Sequence, residues 1–185
     1  MAVRKIVRMG HPALREVSQS LTPKEIASPE LKRLIADMID TLRDYGGVGL
    51  AAPQIAEPIR LAIIEIEVDS SRYGDIPTIP LTVFINPVIE VINNDAKGFW
   101  EGCLSVPGLR GYVERPQHVR VKYLDINGHS CELELTGFLA TVFQHEFDHL
   151  DGKLYIDRLH DSTLLAFEDE FARYLAPRED VEILD

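Results

Sequence analysis

Apolar residues return at Leu31, Leu34, Ile35, Met38, Ile39 and Leu42, steps of three and four that lay one stripe along a helix. The spacing predicts a helix from about Ser28 to Tyr45. Ser28 can cap its start, Pro29 suits the first helical position, Glu30 favours the positive end of the dipole, and Gly46 and Gly47 end it. The period then shortens. RLAIIEIEV (60–68) and TVFIN (82–86) are rich in β-branched residues and predict strands, with SSRYGDIPTIP (70–80) a loop between them. HVRVKYLDINGHSCELEL (118–135) predicts a hairpin with the two-residue turn that Asn127-Gly128 favours. The alternation in the N-terminal VRKIV predicts a short strand or an extended arm.

GFLATVFQHEFDHLDG (137–152) predicts a second helix, with Phe138, Val142, His145 and His149 on or near one face. It is too apolar for a surface helix, so it is expected to be buried, and Gly152 is placed to end it. A last helix is expected over about 161–176, carrying Leu164, Phe167, Phe171, Tyr174 and Leu175 on one side, with the acidic tail REDVEILD fraying beyond it. The fold class is α+β: mostly antiparallel strands around a buried central helix, with an N-terminal and a C-terminal helix. One domain over 1–185 is expected.

A net charge of −11 argues against broad binding of a phosphate backbone, so no DNA contact is expected. Two cysteines, Cys103 and Cys131, are too few for an extracellular disulfide scaffold. No apolar run approaches the roughly 20 residues a membrane span needs, and the N-terminus lacks the apolar core of a secretory signal. A cytoplasmic protein is expected.

The chemistry concentrates in QHEFDHLDG (144–152). His145 and His149, four apart on a helix, can point both imidazoles at one ion. Glu146 lies about 100° around the helix, close enough to reach a water on that ion without lining up as a ligand. A third ligand has two candidate sources. One is the acidic run Glu168, Asp169 and Glu170 on the last helix, of which Glu168 borders the apolar stripe while Asp169 faces away. The other is Cys103 in EGCLSVPG (101–108), whose thiolate suits zinc or iron and whose neighbour Gly102 lets the backbone come close. Cys131, in a strand of the hairpin, is read as packing. Asp148 and Glu101 are each read either as orienting a ligating histidine or as structural carboxylates. His11, His118, His129 and His160 are read as surface residues.

GVGLAAPQ (47–54) follows the first long helix. It lacks the Lys and Ser/Thr of a phosphate loop; its small residues instead let a ligand's backbone lie alongside, and Gln54 offers an amide donor. GVGLAAPQ, EGCLS and QHEFDHLDG, in this order, resemble the three signature motifs of peptide deformylases, and the resemblance runs from MGHPALR to KLYIDRL.

The resemblance implies that Cys103, His145 and His149 hold one divalent metal with water in the fourth position. It implies Fe(II) as the ion, with zinc, nickel or cobalt able to replace it. It further implies Glu146 as the catalytic carboxylate, Gln54 and the Leu104 N–H as the oxyanion site, and Val48, Gly49 and Arg110 near the substrate groove. The implied substrate is the N-formyl-methionine of a nascent chain. Such a peptide is expected to lie along GVGLAAPQ by strand addition, with Phe138, Thr141 and Val142 walling an apolar pocket for the methionine. Transient ribosome contact belongs to the family picture, although the acidic tail speaks against docking through the C-terminus. The rival readings are a zinc endopeptidase, which leaves EGCLS and GVGLAAPQ unexplained, and a binding protein with a structural metal, which needs a fourth protein ligand.

Overall fold

The computed structural model describes residues 2–66 and 78–176, with the backbone of 183–184. Most of the expected loop at 70–80, the end of the strand expected at 60–68, and most of the tail lie outside the described residues. The N-terminal segment is an extended arm, tied down where Val7 N–H donates to Gln54 O (2.8 Å) and Met9 N–H to Ser105 O (2.7 Å). It leads to a short helix α1 (Pro23–Ile26) and the long helix α2 (Pro29–Tyr45). The expected caps are in place: Ser28 accepts from Leu31 N–H, and Gly46 closes the helix at a φ of 72° that a glycine adopts without strain.

A sheet follows, with β1 (Gly49–Ala51), β2 (Leu61–Ile66), β3 (Ile79–Glu101), β4 (Leu109–Leu124) and β5 (Ser130–Thr136) paired antiparallel in sequence order. Helix α3 (Gly137–Leu150) comes next and packs against this sheet. The uninterrupted apolar run in β2 has a simple cause: both faces of the strand are covered. Leu61 and Ile63 join Leu31, Ile35, Met38 and Leu42 of α2, while Ala62, Ile64 and Ile66 join Phe143, Phe147 and Leu150 of α3. Full burial of each such large side chain contributes about 1.5–3 kcal/mol. Aromatic packing centres on Phe84, whose ring meets Phe143 edge-on at 5.1 Å.

Four expectations are corrected. The strand expected at 82–86 runs on through Glu101, its outer part exposed and its register broken after Ile85, Val91 and Asn93. The hairpin does not use a two-residue turn. Residues 125–129 form the loop, Gly128 alone takes a positive φ (81°), and Asp125 Oδ1 accepts from both Asn127 and His129 N–H. The last helix is broken: after a 3-10 turn at Ser162–Leu164, Leu165–Phe167 is a strand, β6, antiparallel to β4, and the helix resumes only as α4 (Glu168–Glu170) and the π-helical turn Phe171–Leu175. Within the tail expected to fray, β7 (Ile183–Leu184) pairs in parallel with Trp100 and Glu101.

Candidate metal centre and active site

Helix α3 is buried on every side, which its apolar composition requires. Among its buried residues are His145, the adjacent Glu146, and His149 one turn on, with the two imidazole rings 5.2 Å between centroids. Cys103 comes from the turn just after β3, closed by Val106 N–H donating to Cys103 O. Its Sγ lies 3.3 Å from His149 Nε2, and one donor atom from each of Cys103, His145 and His149 falls within 4.8 Å of the others. Glu168 is elsewhere, accepting from Arg110 Nη2 at 2.6 Å, and Asp169 Oδ1 accepts from Glu170 N–H.

The donor set fits a divalent cation. Around a four-coordinate ion with metal–sulfur near about 2.3 Å and metal–nitrogen near about 2.0 Å, neighbouring ligand atoms sit roughly 3.5 Å apart. The thiol is also prepared: burial opposes its ionisation, but the charges of His149 and His145 and their hydrogen bonds bring the Cys103 pKa down to about 5. Among the described residues no fourth side chain joins the cluster, which leaves room for a substrate-side ligand.

Around the three donors lies a network of buried charge. Glu101, fully buried, accepts from His145 Nδ1 at 2.7 Å, so the Nε2 lone pair of His145 is the one that faces the cluster. Arg115 holds that carboxylate with two bonds, 2.6 and 3.0 Å, and reaches Asp148 at 2.8 Å. Arg158 closes the network on Asp148 at 2.6 and 3.1 Å. Burial pushes the Glu101 carboxyl up, yet Arg115 and His145 together hold it below the ordinary glutamate range. Asp148 is lowered in the same way, against burial, by Arg158 and Arg115. Of the two carboxylates read as orienting a histidine, Glu101 does so directly; the Asp148 carboxylate accepts from Arg115 and Arg158, and from no histidine among the described residues.

Glu146 differs. Its Oε2 is buried without a hydrogen-bond partner among the described residues, and burial raises its pKa against the pull of His145 and His149. A buried carboxylate kept unsatisfied is costly, and such sites are where proton transfer is found. Gly49 makes room for it: a Cβ there would fall 2.4 Å from Glu146 Cδ. Gln54 is locked in place, Oε1 accepting from Ala51 N–H (2.8 Å) and Nε2 aimed at Cys103 Sγ (3.7 Å) and Ser105 Oγ (3.4 Å).

Strand β1 ends the sheet. Val48 O accepts from Glu65 N–H, so by antiparallel alternation the N–H and C=O of Gly49 face away from β2, toward the open edge. Leu104 and Arg110 line a cleft of about 810 Å³ that includes Cys103. Phe138, Thr141 and Val142 are buried on α3. Phe138 meets Phe99 at 5.7 Å, Val142 joins the surrounding core, and Thr141 Oγ1 accepts from Gln117 at 3.1 Å. Val48 is half-buried against the same core. Sequence reasoning missed Arg115, Arg158 and Tyr155, whose ring stacks on His145 at 6.0 Å. For the arginines a signal existed: two acidic residues beside metal ligands on buried segments require cations.

A sulfur, two imidazoles and an unsatisfied carboxylate, buried together beside an open sheet edge, define the class: a metal-dependent hydrolase. Comparison with known proteins narrows it. The sequence model of the polypeptide deformylase family matches residues 3–164. The peptide deformylase of Leptospira biflexa is 45% identical over 170 residues, covering 92% of this chain and 95% of that protein. Peptide deformylase 1 of Bordetella pertussis is 42% identical over 178 residues, covering 96% and 99%. Among solved structures, the Met-Ala-Ser-bound class I type b peptide deformylase of Acinetobacter baumannii superposes with a TM-score of 0.79 at 36% identity, covering 85% of this chain and 99% of that one. The Thermotoga maritima peptide deformylase gives 0.75 at 37%, covering 87% and 100%. The chain belongs to the polypeptide deformylase family. It is a metal-dependent deformylase that removes N-formyl groups from nascent polypeptides.

Proposed function

We propose the following division of labour. Cys103, His145 and His149 hold one divalent ion, Fe(II) in the cell, with zinc, nickel or cobalt as substitutes; a thiolate with two imidazoles suits these ions. When bound, such an ion supplies Lewis acidity, making water more acidic and drawing charge from a carbonyl oxygen. Glu146, by its unpartnered Oε2, takes the proton of the attacking water and passes it to the departing amine. Gln54 Nε2 and the Leu104 N–H donate to the oxygen that becomes negative; losing one such donor costs about 10²–10³ in rate. Gly49 pairs main chain to main chain with the formyl-methionyl peptide, Val48 and Arg110 flank it, and Phe138, Thr141 and Val142 back the methionine side chain. The Met-Ala-Ser bound in the Acinetobacter relative supports a methionyl peptide as ligand. The whole chain acts as one catalytic domain in the cytoplasm, meeting nascent chains by transient contact at the ribosome through a surface other than its acidic tail.

The observation that carries this reading is the unsatisfied Glu146 carboxylate beside three converging donors. The test is anaerobic incubation of the Fe(II) protein with formyl-Met-Ala-Ser. Stoichiometric formate and free Met-Ala-Ser are expected, with Glu146→Gln retaining its metal and losing about 10²–10⁴ in turnover. Cleavage between methionine and alanine, or full turnover by Glu146→Gln, overturns it.

A further inference from the structure

The cleft that opens from Cys103 carries positive charge in a protein whose net charge is −11. Lys5 and Arg8 stand exposed on one wall, and neither forms an ion pair among the described residues. Arg110 lines the same cleft, and the one carboxylate among the described lining residues, Glu168, is bonded to it at 2.6 Å. The two cations are not on a free-swinging tail. Ile6 between them is buried, and the main-chain bonds from Val7 to Gln54 and from Met9 to Ser105 anchor the arm on both sides of Arg8. Gln54 and Ser105 are themselves hydrogen-bonded beside the metal donors, so the charges keep a fixed relation to the reacting end. The C-terminal end of α2, whose last residue Tyr45 and cap Gly46 also line the cleft, contributes about half a negative charge against these cations.

An edge strand that reads main chain leaves the side chains after the methionine to meet these walls. We propose that Lys5 and Arg8 set a substrate preference: among formyl-methionyl chains, they favour those with aspartate or glutamate in the first few positions after the methionine. The inference rests on the deformylase reading and deepens it. Screening at physiological salt confines the attraction to side chains within about 8 Å, so the preference belongs to the residues entering the cleft and not to the distant chain.

The test compares kcat/KM for formyl-Met-Ala-Ala-Ala with peptides carrying glutamate or lysine at the second, third or fourth position. In low salt at least one glutamate peptide is expected to exceed the alanine peptide by about 3–10-fold, and its lysine counterpart to fall below it. The ratio should approach one at high salt. It should fall below one in Lys5→Glu/Arg8→Glu and be reduced in the milder Lys5→Gln/Arg8→Gln. Lys24→Glu/Lys32→Glu, the same charge change on α1 and α2, should keep the wild-type ratio. Dissociation constants of the matching unformylated peptides, measured by calorimetry, should move in parallel. Formate from the alanine peptide with a glutamate ratio near one, or a ratio unchanged in Lys5→Glu/Arg8→Glu, overturns the preference alone. Formate from none of the peptides overturns the deformylase reading, and the preference with it.

Discussion

At Gly49 the open strand lies directly against Glu146 of α3. Its absent side chain is the space that the Glu146 carboxylate fills, since a Cβ would stand 2.4 Å from Cδ and 2.6 Å from Oε1. Gly49→Ala must therefore push a buried carboxylate off its position. Misplacing a reacting group by about 1 Å can cost roughly 10²-fold. The expected outcome is a folded protein with normal metal content and kcat reduced by about one to two orders of magnitude, read by formate release alongside metal analysis. Wild-type kcat would mean that Glu146 moves aside freely and its position is not set by this contact. The sequence shows Gly49 as a small residue suited to a ligand's backbone; it does not show Glu146 against it, because the two are far apart in the chain and no local pattern encodes that distance.

At the scale of elements, α3 and its surrounding strands are joined by charge as well as by packing. Arg115 on β4 bridges Glu101 at the end of β3 and Asp148 on α3, and is itself buried. Removing one partner from such a group strands the others in a low-dielectric interior, at a cost of about 3–5 kcal/mol. Arg115→Met is expected to lose stability of that order in denaturant titration. It should also weaken metal affinity by about 10–100-fold, because Glu101 would no longer be held against His145. A variant that is destabilised with unchanged metal affinity would show that Arg115 serves packing alone.

What was legible in the sequence follows from the same distinction. Helix α2, β2 and α3 declare themselves because each buries a face or its whole surface, and the residues record it. The metal donors were readable because their residue types and spacings carry chemistry. The outer half of β3 was not: Pro87, Asn93, Asn94 and Asp95 look like loop, and the strand there is irregular, exposed and held by its ladder to β4. Leu165–Phe167 likewise carries a helical pattern but is captured by the free hydrogen bonds of Leu109–Gly111. Arg115 was missed because a cation's task inside a protein depends on which acids surround it.

For the whole molecule, buried carboxylates set the acid limit. The folded-state pKa values of Glu101 and Asp148 lie below their ordinary values. Their stabilisation is therefore complete above the unfolded values, near pH 4, and is lost as pH falls through the lower folded values. In chemical denaturation, the share of stability owed to these two carboxylates should be nearly flat from neutrality down to about pH 5 and fall below pH 4. Asp148→Asn should lower the plateau and shallow that fall. An acid limb of unchanged steepness in Asp148→Asn would assign it to other groups.

The outward face of Gly49 has a last consequence. A ladder made from amide groups is blind to whether the incoming chain has been processed. Spent and unspent chains differ there only at their tips, where a neutral cap has given way to an ammonium. Were Cys103, His145 and His149 to hold a divalent ion, that new positive charge would sit poorly beside it, and the repulsion would favour departure of the spent chain.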